Sequence, residues 1–430
     1  MPQRYWIETL GCPKNAVDSA KLAGTLHGDG FVPAESPEDA DLVVVNTCAF
    51  IEPARAESVE TILELSERRR ASARLVVTGC LAERAGPELA DALPEVDLVA
   101  GFGVPVQLTT GPRLQRSHSG VLGSFDLLEL ERPRADTPWA YVKVAEGCDR
   151  KCGFCAIPSF RGAQRSRPVA SVLAEVDTLT AGGVREIVLV AQDLASYGRD
   201  DGRPGALVDL IGAVRERVER VRLLYLYPSS LTDTLIDAVI ATGVAYFDLS
   251  LQHVSSKLLR KMRRVGSAER FLERIATIRE RAPQAALRSS FILGYPGETE
   301  EDHDALLAFL EAAQLDWAGF FSFSEEPGTY AAGLEAKVPE ELAIARLREC
   351  AELQDEVTAK RRSALVGSVI SVLVDAPGVA RSHREAPEID GVVQVDPTIA
   401  PGSVLDVMVH SAEGPDLYAE ALPVAWAMTR

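Results

Sequence analysis

The sequence predicts an α/β protein in three parts: an amino-terminal open sheet of βαβ type, a central partial (β/α)6 barrel, and a small carboxyl-terminal β-barrel. Three observations predict it. Short β-branched runs alternate with patterned helical stretches along most of the chain, and after residue 365 the pattern changes to short runs broken by Gly and Pro. A chain of 430 residues also exceeds what one core organises, at roughly 150 residues per domain. Hydrophobic residues at 47% and charged residues at 25% are the balance of an ordinary globular chain, which excludes disorder and fibrous repeats.

Taken in order, Tyr5–Thr9, Leu42–Asn46 and Leu75–Thr78 read as strands, with helices at Ala16–His27 and Pro53–Arg70 between them. Each strand is followed almost at once by a cysteine: Thr9-Leu-Gly-Cys12, Asn46-Thr-Cys48 and Thr78-Gly-Cys80. Parallel strands joined by crossover helices end on one edge of their sheet, so these three cysteines are expected to converge. This unit spans 1–110. Residues 111–138, rich in Gly and Pro, read as a linker.

From Trp139 the alternation resumes over 139–365. Trp139–Ala145, Glu186–Val190, Arg222–Leu226, Tyr246–Leu249, Leu287–Leu293 and Trp317–Phe321 read as strands, and Val169–Ala181, Leu231–Ala241, Ser267–Arg281 and Glu300–Ala313 as helices. Six strands fall short of the eight that close the familiar barrel, and catalytic groups belong on the loops after the strands. A long charged helix at Pro339–Ser363 leads into 366–430, where Val366–Asp375, Gly391–Val395 and Val404–His410 suggest a small β-barrel. That last unit carries nine acids against three arginines.

Charge and cysteine content narrow the function classes. A net charge of −18 repels a phosphate backbone unless basic residues gather in one patch, so a basic partner fits more easily than free nucleic acid. Nowhere do about eighteen apolar residues run without a charge, and the start lacks a signal peptide's charged head and apolar run. A cytoplasmic protein without membrane association is the expectation. Seven cysteines without a secretion signal point to metal binding, catalysis or burial rather than a disulfide scaffold.

The strongest chemical signal is Gly147-Cys148-Asp-Arg-Lys-Cys152-Gly-Phe-Cys155, a C-x3-C-x2-C loop directly after a strand. Three thiolates on one short loop suit three irons of a [4Fe–4S] cube and leave the fourth iron open to a small molecule. A zinc knuckle would want a fourth ligand nearby, and no His or Cys follows at that spacing; a thioredoxin-like C-x-x-C does not need Cys148. The six histidines form no paired motif.

This loop, with Phe154 before its last cysteine, resembles the signature of the radical S-adenosylmethionine (SAM) enzymes. The resemblance implies that Cys148, Cys152 and Cys155 ligate a cluster whose open iron chelates SAM, for cleavage to a 5′-deoxyadenosyl radical. The segments around Cys12, Cys48 and Cys80 resemble the amino-terminal domain of the methylthiotransferases, which implies a second [4Fe–4S] cluster there and a carboxyl-terminal domain of the TRAM type. Two branches of that family differ in substrate, adenosine in transfer RNA or an aspartate of ribosomal protein S12. Gly11-Cys-Pro-Lys-Asn15, Ala191-Gln-Asp-Leu-Ala-Ser-Tyr-Gly198 and Ala386-Pro-Glu-Ile-Asp-Gly391 are similar to the second, whereas the first typically has Gly-Cys-Gln-Met-Asn and Gly-Gln-Asn-Val.

The resemblance therefore implies methylthiolation of the aspartate β-carbon. It also implies S12 or the small ribosomal subunit as the protein partner, together with an electron donor and a sulfur source. The rival readings are a transfer RNA adenosine methylthiotransferase and a noncatalytic iron–sulfur adaptor on the ribosome. Candidate SAM contacts are Phe154; Arg167, in a segment with Arg161 after the cluster loop; Gln192 and Asp193 at the end of a barrel strand; and Gly294 and Pro296 in Gly294-Tyr-Pro-Gly-Glu-Thr299. The Arg161–Arg167 segment reads equally as a solvated basic loop.

Overall fold

The computed structural model describes residues 2–106, the backbone of 114–115, and residues 126–422. Part of the expected 111–138 linker and the end of the 366–430 unit, Arg430 included, lie outside the described residues. The amino-terminal unit is one parallel sheet with the strand order Val32–Pro33, Arg4–Thr9, Leu42–Thr47, Arg74–Gly79, Leu98–Ala100, Leu114–Gln115. Leu42–Thr47 is buried along its whole length, as the central strand of a sheet covered on both faces must be. Leu114–Gln115 extends this sheet from inside the stretch expected as linker. The following segment is docked as well, since Lys21 Nζ donates to Leu128 O at 2.7 Å and Arg132 Nη1 to Tyr141 O at 2.6 Å.

The central unit places Trp139–Lys143, Glu186–Val190 and Arg220–Leu223 in one parallel sheet and Tyr246–Gln252, Ala286–Leu293 and Trp317–Ser322 in another. A parallel bridge between Leu226 and Leu249 joins the two, giving an open barrel of six strands. Side chains alternate as the period of two requires. Ile187, Leu189, Val221, Leu223, Phe247 and Leu249 face the outer helices, while Tyr141, Val188, Val190, Leu224 and Tyr246 fill a separate inner core with Val17 and Ala386 from the flanking units. The helix Glu300–Ala313 starts at Thr299, whose hydroxyl caps Asp302 N while the Asp302 carboxylate caps Thr299 N.

The carboxyl-terminal unit is a closed barrel of Val369–Ala376, Val379–Arg381, Val393–Gln394, Val404–Glu413 and Asp416–Ala421. Its 382–390 loop seats in the end of the central barrel where the strands begin. Tyr246 donates to Asp390 at 2.6 Å, Tyr141 to Pro387 O at 2.9 Å and Trp317 Nε1 to Arg384 O at 2.6 Å. Beside them the fully buried Glu186 carboxylate meets Arg220, Arg222 and Arg381 at 2.9, 2.8 and 3.1 Å. Burial alone would raise its pKa, but the three guanidiniums hold it well below the usual carboxylate range. The charged helix, Glu340–Ser363, lies beside the last barrel strand, with Gln354 and Thr358 donating to Leu315 O and Asp316 O at 3.0 Å each.

Several elements differ from expectation. The strand expected at Arg222–Leu226 is Arg220–Leu223, because Tyr225 takes a left-handed backbone with φ 66° that ends it. The helices Cys80–Ala92 and Ala206–Arg215 and the strands Leu98–Ala100, Val379–Arg381 and Asp416–Ala421 were not marked by the sequence pattern. Ala206–Arg215 is a short apolar run whose periodicity is ambiguous, and Leu98–Ala100 and Val379–Arg381, at three residues each, are too short to show one.

Candidate active site

The 148–155 loop leaves the strand end through Gly147, whose φ of 75° and crowding against the Gly162–Ala163 backbone leave no room for a Cβ. Cys148 N donates to Gly162 O at 3.1 Å and Cys155 N to Cys152 O at 3.2 Å, while Gly153 N donates to Met262 O and Gly153 O accepts from Ala331 N, both at 2.8 Å. The loop is thereby stitched to two later barrel loops. Arg264 Nη1 donates to Cys152 Sγ at 3.5 Å and Arg150 N to Cys148 Sγ at 3.4 Å. The ring of Tyr227 is sandwiched between the guanidiniums of Arg150 and Arg264, at 3.9 and 4.0 Å. Burial, with smaller additions from the neighbouring thiols, pushes Cys148 up to about 11 and Cys155 up to about 12.

The second group of thiols comes from three strand ends. Cys12 precedes the helix Pro13–Gly28, Cys48 follows Leu42–Thr47, and Cys80 opens the helix Cys80–Ala92 after Gly79, with its φ of 92°. Gly11 is required here: its φ is 94°, and a Cβ on it would stand 2.9 Å from Cys48 Sγ. Asn15 binds the loops together, its Nδ2 donating to Leu10 O at 2.8 Å and Thr47 O at 3.1 Å. Burial pushes Cys48 up to about 11 and raises Cys80. At Cys12 burial also raises the pKa, but Lys14, Arg161 and backbone N–H groups outweigh it and the thiol falls below its ordinary value.

Both groups fit an iron–sulfur ligand set. In each, the thiols sense one another, and backbone N–H groups reach Cys12, Cys48, Cys148 and Cys155. Such donors are the ones that sulfur ligands of a cluster use. Among the described residues no three His, Cys, Asp or Glu side chains gather as a single-ion site.

A charged wall joins the two groups. Arg161, at the end of the short helix Ile157–Arg161 after the Cys155 loop, reaches across to Cys80 Sγ at 3.1 Å and Asn15 Oδ1 at 2.7 Å. It also bonds Asp18 and Glu146 at 3.0 Å each. Lys143 pairs with the same two carboxylates, at 2.6 Å for Glu146. Burial would raise the pKa of Glu146, but Arg161 and Lys143 bring it down to about 2, so this carboxylate stays ionised at neutral pH.

The candidate SAM contacts divide. Gln192 Nε2 donates to Glu146 at 2.6 Å and Asp193 accepts from Arg150 Nε at 2.5 Å, which brings both to the wall and the loop. Gln192 Oε1 and Asp193 Oδ1 are buried without a hydrogen-bond partner among the described residues, as is Arg167 Nε. Phe154 is half-buried and packs on the barrel core. Gly294 N is taken by Glu298 at 2.6 Å and Pro296 O accepts from Lys261 Nζ at 3.4 Å; this turn approaches the thiol loop through Tyr295, whose hydroxyl lies 3.1 Å from where a Gly153 Cβ would stand. Arg167 stands apart, buried, its bonds going to Lys143 O at 3.0 Å, Glu175 at 2.6 Å and Ser171. Sequence reasoning missed Asp18, Lys143, Glu146, Arg150, Tyr227 and Arg264, ordinary charged or aromatic residues whose shared location only the fold reveals.

Comparison with known proteins follows this division into units. Residues 4–101 match a family described as uncharacterized protein family UPF0004, residues 142–310 the radical SAM superfamily and residues 366–422 the TRAM domain. Proteins named ribosomal protein uS12 methylthiotransferase RimO are similar over nearly the full length. The one from Kineococcus radiotolerans is 40% identical, covering 97% of this chain and 96% of its own; the one from Myxococcus xanthus is 41% identical, covering 98% and 92%. Among solved structures, the radical S-adenosylmethionine methyltransferase TsrM from Kitasatospora setae, with cobalamin and a [4Fe-4S] cluster bound, has a TM-score of 0.53 at 16% identity, covering 94% of this chain and 84% of that one. That likeness concerns the fold alone.

Proposed function

The chain belongs to the ribosomal protein uS12 methylthiotransferase family of radical SAM enzymes, and from that premise we propose that it adds a methylthio group to the β-carbon of an aspartate of uS12, using two [4Fe–4S] clusters and SAM. The observation that carries the reading is the single wall between the thiol groups: Arg161 follows the Cys155 loop in sequence and bonds Cys80 in space. A substrate radical must meet its sulfur before it is quenched, and two centres set against one charged wall meet that demand. Cys148, Cys152 and Cys155 would hold one cluster and Cys12, Cys48 and Cys80 the other. When bound, they supply the electron that cleaves SAM and the place where sulfur receives a methyl group.

The chain's own residues do the positioning. Gln192 and Asp193 offer buried acceptor oxygens at the barrel's carboxyl end, and Arg150 is fixed there by Asp193, Ser196 and Ser230. Arg55 and Arg84, on the amino-terminal unit, both bond Glu326 of the barrel, at 2.5 and 2.7 Å, which ties the two units together. The substrate reading is supported by the carboxyl-terminal unit. Among its described residues the two arginines, Arg381 and Arg384, are buried, whereas Asp396, Asp406, Glu413 and Glu420 are exposed. Such a surface suits a basic ribosomal protein and disfavours RNA. No described helix is long and apolar enough to cross a membrane; we place the reaction in the cytoplasm, where ribosomes, a reductant and a sulfur source meet.

The test is anaerobic reconstitution with iron and sulfide, followed by incubation with SAM, reductant and a uS12 peptide or small subunits. Mass spectrometry is expected to find SCH2 added at an aspartate, together with 5′-deoxyadenosine. Modification of transfer RNA instead, or neither product from protein loaded with both clusters, would overturn the reading.

A further inference from the structure

We propose that Arg161 is a positioning residue through which the barrel unit sets the reduction potential of the amino-terminal thiol centre, an inference that rests on reading Cys12, Cys48 and Cys80 as ligands of an iron–sulfur group. Its side chain is only 4% exposed, although it belongs to a loop that sequence alone reads equally well as solvated surface. One terminal nitrogen donates both to Cys80 Sγ, at 3.1 Å, and to Asn15 Oδ1, at 2.7 Å; the other donates to Asp18 and Glu146. The guanidinium plane also lies over the Phe102 ring, 4.4 Å from its centroid. Asn15 in turn bonds the Cys12 loop through Asn15 N to Cys12 O at 2.8 Å, so one arginine grips Cys80 directly and Cys12 through one intermediary.

The physical consequence follows from the charge. A guanidinium does not lose its proton in a protein, and its planar fork fixes where the N–H groups point. A donor and a positive charge at a sulfur ligand stabilise the more negative, reduced form of the group it holds, which raises the potential. Asp18 and Glu146 oppose Arg161 and Lys143 in the wall, so the formal charges balance and the nearest group, the N–H on Cys80, sets the direction at the sulfur. Asp18 belongs to the amino-terminal unit and Glu146 to the barrel. The fork is therefore aimed at Cys80 only when the two units are docked, and the amino-terminal centre is tuned by the unit that binds SAM.

The experiment uses the full chain with Cys148, Cys152 and Cys155 all replaced by Ala, so that the amino-terminal centre reports alone, and reads its midpoint by potentiometric EPR. Arg161→Gln is expected to move the midpoint downward. Arg161→Lys, which keeps a charge without the fork, moves it part of the way, and carries the test if the Gln variant does not load. In the complementary chain lacking Cys12, Cys48 and Cys80, the same substitutions shift the barrel centre less. A midpoint that stays put in the variants that load, or an equal shift at both centres, overturns the inference. Failure of the unsubstituted amino-terminal centre to bind iron overturns the two-cluster reading itself, and the inference with it.

Discussion

The two thiol groups are assembled in opposite ways. Cys148, Cys152 and Cys155 lie on one short loop, so their spacing is fixed in sequence, and backbone hydrogen bonds to Gly162, Met262 and Ala331 hold that loop in place. Cys12, Cys48 and Cys80 come from three strand ends, and their proximity depends on sheet register, on Gly11 and Gly79 and on a residue of another unit, Arg161. A ligand set written in sequence survives local change; one written in topology is sensitive to anything that shifts a strand or a domain.

The largest effect separates the two groups by chemistry. Cys152→Ala is expected to abolish 5′-deoxyadenosine formation altogether, whereas Cys48→Ala keeps uncoupled SAM cleavage and loses sulfur insertion. Chromatography of the nucleoside and mass spectrometry of uS12 check both, and methylthiolation surviving in either variant would erase the distinction. Next come the glycines that aim each group. A Cβ at Gly79 would meet Thr47 N and O at 2.6 Å, and one at Gly147 would meet Gly162 O at 2.7 Å, in both cases with a positive φ. Each change to Ala should cost about 2–4 kcal/mol of local stability. Iron counting on the variants is expected to show loss at the amino-terminal centre for Gly79→Ala and at the barrel centre for Gly147→Ala; equal loss at both would mean that the centres are not separately built.

The smallest effect concerns acid. His253, on the barrel side, is fully buried, accepts from Ser255 N at 3.1 Å through Nδ1, and is brought down to about 4, chiefly by burial. With its folded pKa below the unfolded value of about 6.5, the unfolded chain takes up the proton first. The stability this group contributes is complete above pH 6.5 and is lost as pH falls toward 4, to the extent of at most about 3 kcal/mol. His253→Gln should flatten the slope of barrel unfolding against pH in that window, followed by denaturant titration at several pH values, and an unchanged slope would remove His253 as its source.

The same contrast explains what could be read in advance. Strand and helix positions were legible wherever β-branched runs and helical periods were long, as at Leu42–Thr47 or Glu300–Ala313. The six candidate cysteines were legible because thiols are rare and each group followed strand ends. The wall was not. Asp18, Lys143 and Glu146 look like any surface charges in sequence, and their burial follows from partners far along the chain, such as Asp18 for Arg161. Arg167 shows how little sequence says about partners: its place beside the signature loop suggested a SAM contact, and in the fold its two terminal nitrogens bond Lys143 O and the Val169–Ala181 helix residues Ser171 and Glu175.

The 382–390 loop has a further consequence. By stoppering the end of the barrel where the strands begin, with Tyr141, Tyr246 and Trp317 bonded to it, it shuts that end to small molecules. The carboxyl-terminal unit is thus a floor for the barrel as well as a surface of its own, and a change that loosens the floor would let water in behind the strands, opposite the end that carries the Cys148 loop.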